Sequence, residues 1–347
     1  MAIIHGLASD APESTNNDSE EIIVKPKVSW TKRWEKEFGN IFVPATCIAD
    51  KKTNIISVSP STDLAIKGVP EGVWIVLSGP PKFGKSSMAL QIAANAQQQY
   101  DKPIFYIDAE GRFKKMNLQI RGLDLNKITI IQSTKEKILS AESTLNIAMD
   151  ILKHVPGCIL IIDSTSALCA EKELTDDISA NTRASGPKLM ASFCRQMATV
   201  VPVQQSIVIC IQHLIANTSG YGSPYMEDGG RKIQYQADIK LRGKGVEKWK
   251  NTEGVQIGQI IKWEVNSSAL GPPGGEIENY LRYGVGIDQT MELLILATDL
   301  GIIQQKGAWY SSDLLGGKWQ GQEKLYQYLE NEPDKLKLLW AEVKKLV

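Results

Sequence analysis

The sequence predicts an α/β protein: a mostly parallel, twisted sheet flanked by helices, with a short N-terminal helix before it and a small α+β C-terminal lobe after it. Three observations carry this expectation. Short apolar, β-rich runs alternate with helical patterns between about residues 53 and 283; one of them leads into Gly-Pro-Pro-Lys-Phe-Gly-Lys-Ser at residues 79–86; two later runs end on an acidic side chain. Such alternation marks strands joined by crossover helices. G-x-x-x-x-G-K-[ST] between a strand and a helix is a phosphate loop, which makes the chain a nucleoside triphosphate binder.

Composition bounds the function. With 347 residues, 43% apolar and 22% charged, the chain can bury a substantial core. Its 39 basic residues balance 39 acidic ones, so any nucleic-acid surface must be local. The five cysteines (Cys47, Cys158, Cys169, Cys194, Cys210) lack metal-ligand spacing and read as reduced thiols of a cytoplasmic protein. Apolar runs such as Leu293–Ala297 are far too short to span a membrane, and the N-terminus has no secretory pattern.

Taken in order, residues 1–24 hold Asp10, Glu13, Asp18, Glu20 and Glu21 among Ser, Asn and Pro, an acidic flexible tail. Residues 25–52 carry Trp30, Trp34 and Phe38 at every fourth position, which fits an oligomerisation helix and equally a helix packed on its own core. The core, 53–283, contains the strand-like runs Trp74–Leu77, Ile104–Ile107, Ile128–Ile131, Cys158–Ile162, Ile207–Ile211, Ile239–Leu241 and Gln259–Val265. The lobe, 284–347, opens with Met291, Leu294, Ile295, Thr298 and Ile302 at helical spacing, then a turn-rich patch and an amphipathic helix pair.

The loop's spacing has a chemical reason. Backbone N–H groups at a helix start are unpaired and sit at the positive end of the helix dipole, so they can wrap phosphates. Gly79 and Gly84 let the backbone approach; Pro80 and Pro81 have no N–H and stiffen the entry past Lys82, leaving Phe83, Gly84, Lys85, Ser86 and Ser87 as the main cradle. Lys85 is expected to reach the β- and γ-phosphates and the Ser86 hydroxyl to coordinate Mg2+. Asp163 ends a central apolar run and is the expected second magnesium ligand. Glu110 lies just beyond a neighbouring run and can orient or deprotonate an attacking water. Gln212 follows Ile207–Ile211 and can hydrogen-bond a γ-phosphate.

These segments together resemble the RecA family of recombinases. "ISVSPSTDLAIKGVPEGVWIVLSGPPKFGKSSMALQIA" is similar to the family's lead into its phosphate loop, "FYIDAEG" to its catalytic Glu segment, "ILIIDSTSAL" to its magnesium strand and "IVICIQH" to the strand ending in its γ-phosphate sensor. "GGRKIQYQADIKLR" resembles the end of its second DNA loop; "KGAWYS" and "YLENEPDKLKLLWAEVKKL" resemble its C-terminal lobe. The resemblance implies a RecA-like ATPase core that polymerises head to tail into a helical filament on single-stranded DNA, hydrolyses ATP between neighbours and exchanges strands with homologous double-stranded DNA. It implies that Gln212 senses the γ-phosphate and orders the loop from about His213 to Gly230, with Tyr221, Tyr225 and Met226 available to bases. The first DNA loop is expected around Glu171–Arg183, with Arg183, Lys188 and Arg195 on phosphates. The region from 231 to 250, with Gly229, Gly230, Arg231 and Lys232 at its head, is locally basic and reads either as a backbone-binding segment or as solvated hairpin charges.

Three departures stand out. The two lysines that flank an Asn in bacterial members, and reach the neighbour's ATP, are replaced by Val265-Asn266-Ser267, with Lys262 nearby in an undetermined direction. The adenine-stacking tyrosine is replaced by Asn117, and the C-terminus lacks an acidic tail. They suggest a divergent, bacteriophage-encoded relative acting in the host cytoplasm. A ring-forming DNA motor or accessory ATPase, and a filament protein using ATP as a structural switch, remain as alternatives.

Overall fold

The strand Trp74–Gly79, buried at every position, sets the frame for the elements around it. The computed structural model describes residues 29–39, 41–50, 52–113, 120–175, 186–217, 224–228 and 230–346. The chain divides into two units, 1–52 and 53–347. In the first, α1 (Ser29–Phe38) and α2 (Ala45–Ala49) are short, and Trp34 stacks on Phe42 at 5.6 Å. Phe38 is exposed; the side chain of Trp30 lies outside the described residues.

The second unit begins with β1 (Ile55–Ile56), α3 (Pro60–Ile66) and β2 (Val69–Pro70), then β3 (Trp74–Gly79), α4 (Lys85–Tyr100), β4 (Ile104–Asp108), β5 (Ile128–Gln132), α5 (Ala141–His154) and β6 (Ile159–Asp163). It continues through α6 (Glu171–Thr175), α7 (Gly186–Met197), α8 (Val200–Val203), β7 (Ile207–Ala216), β8 (Tyr225–Glu227), α9 (Arg231–Gln236), β9 (Ile239–Lys250), β10 (Gln256–Ser267), β11 (Glu276–Arg282) and β12 (Gly286–Ile287). The main sheet runs β12-β11-β10-β9-β3-β7-β6-β4-β5, with β8 on β7. From β9 to β5 the pairings are parallel; β10, β11, β12 and β8 pair antiparallel.

Period-two alternation sends successive side chains to opposite faces. Ile75, Leu77, Ile104, Tyr106, Ile159, Ile161, Ile207, Ile209 and Ile211 pack with α4 on one face. Val76, Ile107, Leu160, Ile162, Val208 and Cys210 pack with α5 and α7 on the other. Helices on both faces explain why the strands read as continuous apolar runs.

The lobe comprises α10 (Gln289–Asp299), a three-stranded sheet of β13 (Gln304–Lys306), β14 (Trp309–Ser312) and β15 (Gly317–Gln320), then α11 (Gln322–Asn331) and α12 (Pro333–Leu346). Its core includes Leu294, Leu325, Leu329, Leu339 and Val343, together with Trp249 from β9. The lobe therefore shares a core with the sheet, and β12, inside the sequence-defined lobe, is an edge strand of the main sheet.

Two stretches differ from the sequence-based expectation. The strand expected at Ile207–Ile211 continues to Ala216 and pairs with β8, so the arms of the expected second DNA loop form a β-hairpin. The segment Ile239–Leu241 extends to Lys250 and makes a long, bulged antiparallel pair with β10. Among the described residues no helix is long and apolar enough to cross a membrane.

Candidate functional site

The phosphate loop is the turn between β3, wholly buried, and α4. Gly84 caps α4 with φ +93°, a left-handed conformation that favours glycine, and a Cβ there would displace the tip of Ile261, whose Cδ1 lies 2.4 Å from that position. Phe83 anchors the loop from below: it is buried, lies edge-on to Trp263 at 5.0 Å and fills the space over Gly243.

Lys85 Nζ donates to the carbonyls of Gly79 (2.9 Å) and Pro80 (2.7 Å), so the ammonium is held against the loop. Burial pulls its pKa down to about 8, partly offset by the charges of Asp163 and Glu110. Ser86 Oγ donates to Asp163 Oδ2 at 2.6 Å, and the Tyr106 hydroxyl donates to the same oxygen. Burial raises the Asp163 carboxyl above its ordinary value against the lowering effect of these two hydrogen bonds, and Glu110 and Asp108 add to the rise. Burial and the charge of Asp163 push the Tyr106 phenol up, which keeps it a donor.

Glu110 sits on the turn after β4. That turn is shaped by Asp108, whose carboxylate accepts from the N–H groups of Arg112 (3.0 Å) and Phe113 (2.7 Å). Glu110 Oε1 accepts from Ser164 Oγ and contacts His213 Nε2, both at 2.7 Å, and Oε2 lies 3.0 Å from Arg112 Nη1. Burial alone would raise its pKa, but the hydrogen bonds from His213 and Ser164 and the charges of His213 and Arg112 outweigh it and hold the carboxyl below its usual range.

These groups surround one cavity of about 860 Å³, lined by loop residues 81–87 and by Tyr106, Glu110, Asp163, His213 and Tyr283. The volume suits a nucleotide. Among the described residues no cluster of three or more His, Cys, Asp or Glu could hold a metal by itself. Ser86 and Asp163 instead bring two hard oxygens together, a donor type that suits Mg2+.

The sequence matches the RecA N-terminal domain over residues 30–288 and the RecA C-terminal domain over residues 291–347. The chain belongs to the RecA family. Protein RecA of Lactobacillus johnsonii is 30% identical over 325 residues, covering 91% of this chain and 86% of that protein. Protein RecA of Acholeplasma laidlawii is 29% identical over 323 residues, covering 90% and 94%, and that of Bacillus subtilis 28% over 323 residues, covering 90% and 89%. This RecA-family chain is a recombinase of the RecA type, a nucleotide-binding ATPase of the phosphate-loop class that works on DNA.

In this RecA-family structure, Lys85, Ser86, Asp163 and Glu110 converge on the cavity, whereas Gln212 does not. Gln212 is fully buried, donates to the Asp228 carbonyl at 2.9 Å and accepts from Gln234. Its neighbour His213 lines the cavity. Strand alternation gives the reason: Ile207, Ile209 and Ile211 face the phosphate loop and α4, so His213 shares their face and Gln212 takes the other. The same alternation groups Tyr106 with Asp108. It was available in the sequence as a signal for both Tyr106 and His213. Tyr283 arrives from the far end of β11, where no local motif marks it.

Of the expected DNA contacts, Lys188 and Arg195 are exposed on α7, opposite the buried Met190, Phe193, Cys194 and Met197. Gly230 caps α9 close to Pro187, which brings the exposed Lys232 to the start of α7. Arg183, Tyr221 and Gly229, and the side chain of Arg231, lie outside the described residues, as does Asn117. In the basic stretch, Lys244 pairs with Glu276 and Arg242 Nη2 donates to the Tyr225 carbonyl at 2.9 Å. Lys262 is engaged by Glu247 at 2.7 Å and Glu278 at 3.5 Å.

Proposed function

We propose that the cavity binds ATP with Mg2+, and that the protein forms a filament on single-stranded DNA and pairs it with homologous double-stranded DNA. The observation that carries this reading is the convergence of Lys85, Ser86, Asp163 and Glu110 on one nucleotide-sized cavity in a RecA-family chain. When bound, Mg2+ would neutralise developing phosphate charge. The N–H groups of residues 83–87 would cradle the phosphates, and Lys85 would turn from the Gly79 and Pro80 carbonyls to the β- and γ-oxygens. Ser86 and Asp163 would hold the ion, with Tyr106 fixing the Asp163 carboxylate. Glu110 would orient and deprotonate the attacking water.

Tyr283, at the cavity wall, would take the base-stacking place left by Asn117. Lys188, Arg195 and Lys232 would bind DNA phosphates, and the hairpin residues Tyr225 and Met226, both exposed, would meet bases. Arg183, Tyr221, Gly229, Gly230 and Arg231 are proposed as further DNA contacts from their sequence positions. Bacteriophage origin, with action in the host cytoplasm, is proposed on the replacement of the trans lysines by Val265-Asn266-Ser267. Recovery of the coding region from a phage genome would test it.

The functional test measures ATP turnover with and without single-stranded DNA, together with joint-molecule formation between homologous DNAs. Stimulated turnover and joint molecules are expected. Absence of both at saturating nucleotide would sink the reading.

A further inference from the structure

Asp163 Oδ2 is taken by two hydroxyls, and only one of them belongs to the phosphate loop. Ser86 Oγ donates to it at 2.6 Å from the loop, and the Tyr106 hydroxyl donates to it from β4. Among the described residues Oδ1 takes no hydrogen bond. Asp163 is half-buried and lines the cavity, so Oδ1 is the carboxylate oxygen left for an ion or for water carried by an ion.

Tyr106 is held in place by its strand and by the segment after it. β4 pairs in parallel with β6, Tyr106 opposite Ile161 and Asp108 opposite Asp163, so the ring shares the α4 face with the end of β6. Phe113 packs on it with ring centroids 4.6 Å apart, and the Asp108 carboxylate accepts from the N–H of Phe113 at 2.7 Å. Tyr106 is 2% exposed. A buried phenol needs a partner for its O–H, and Asp163 supplies it. An ionised carboxylate only accepts hydrogen bonds, so the phenol proton points at Oδ2 and keeps a cation away from that oxygen.

Ser86 is able to keep its bond to Asp163 while serving an ion, because a hydroxyl has one proton to donate and two lone pairs to offer. Oδ2 then stays saturated by two donors. A carboxylate with one oxygen to give suits Mg2+, which keeps several waters in a strict octahedral shell and takes few protein oxygens beside the phosphates. It suits Ca2+ less, because that ion gathers about six to eight oxygens and accepts carboxylates through both of theirs.

We propose that Tyr106, which belongs neither to the phosphate-loop motif nor to the acid that ends β6, is a positioning residue that sets the ion selectivity of the nucleotide site. By occupying Oδ2 it limits Asp163 to one oxygen and disfavours Ca2+ relative to Mg2+. This rests on the reading of the cavity as a site for ATP with Mg2+.

The test measures the affinity of the full chain for a fluorescent, non-hydrolysable ATP analogue at saturating Mg2+ and at saturating Ca2+. Wild type is compared with Tyr106→Phe, which keeps the ring and removes the hydroxyl. Wild type is expected to bind more tightly with Mg2+. In Tyr106→Phe the affinity with Mg2+ should fall about tenfold, the lower end of what loss of an outer partner costs a metal site. Affinity with Ca2+ should hold or improve, so the ratio of the two falls about tenfold or more. A purely structural loss would weaken both alike and leave the ratio where it was. In an Asp163→Ala background Tyr106→Phe should leave the ratio unchanged, because the hydroxyl acts through that carboxylate.

An unaltered ratio in Tyr106→Phe would overturn the proposal, as would a wild type indifferent to the ion or an effect that persists in Asp163→Ala. If Tyr106→Phe does not fold, Tyr106→Met, whose flexible side chain fills the space without a hydroxyl, is read in the same way. A wild type that binds the analogue with neither ion would bring down the ATP reading itself, and that failure shows before any substitution.

Discussion

Lys85 is the ammonium held against the phosphate loop. Burial holds its pKa at about 8, so below that value the ammonium is ready for a phosphate and above it the amine is neutral. A bound triphosphate favours the charged form. Binding above pH 8 must therefore take up a proton, and nucleotide affinity should be flat from pH 6.5 to about 7.5 and then fall by up to about tenfold per unit. A titration of affinity against pH checks this, and a flat profile to pH 9.5 would refute it. Lys85→Ala should bind weakly at every pH. Glu110 lines the cavity, and its hydrogen bonds run to Ser164 and His213 and not to the loop, so on the proposed reading it acts in turnover and not in binding. Glu110→Gln is thus expected to keep nucleotide affinity within a few-fold while turnover drops about 100-fold or more; stopped-flow binding beside steady-state turnover separates the two. Both residues were legible in the sequence because the motif fixes one and a strand end displays the other. His213, which contacts Glu110, was legible too, through the parity of β7.

At the scale of elements, local pattern failed where pairing is non-local. Leu214, Ile215 and Ala216 pair with Tyr225–Glu227, and the Gly, Ser and Asn between them gave no period to follow. In β9, Gly243 and Gly245 and the flanking charges diluted the alternation that holds Leu241 and Trp249 inside. The parallel strands were legible because two-sided burial writes unbroken apolar runs. Less visible still was the polar clamp that joins α3, β11 and α10. Glu292 is fully buried, accepting from Asn279 Nδ2 at 2.8 Å and from the N–H of Ser61 at 3.1 Å. Burial raises its pKa to about 7 despite these bonds and one from Ser59. The folded state therefore holds this proton more tightly than the unfolded chain. Its contribution to stability is favourable at low pH and declines as pH rises from about 4.5 to about 7, costing roughly 3 kcal/mol once the carboxyl is ionised. Urea midpoints at pH 5 and pH 8.5 should show that decline in wild type and a flatter profile in Glu292→Gln. Equal slopes in the two proteins would remove Glu292 as its source.

The whole molecule must reconcile zero net charge with a polyanionic partner, which restricts DNA contact to local surfaces and asks many copies to share the strand. The segment preceding residue 53 has the composition for joining copies: Phe38 on α1, Ile48 on α2, and Ile41 and Val43 in the stretch between the two helices are all exposed. A head-to-tail contact made by such a segment uses different surfaces on the two partners, so it propagates without closing unless the rotation happens to sum to a full turn. Electron microscopy with a non-hydrolysable ATP analogue and single-stranded DNA is accordingly expected to show a continuous helical polymer. Phe38→Glu combined with Ile48→Glu should abolish that polymer, because each places a charge where an apolar side chain would be covered, while nucleotide binding persists in the unit that holds the cavity. Closed rings in the wild type would favour a motor, and an unaltered polymer in the double variant would move the joining surface elsewhere on the chain.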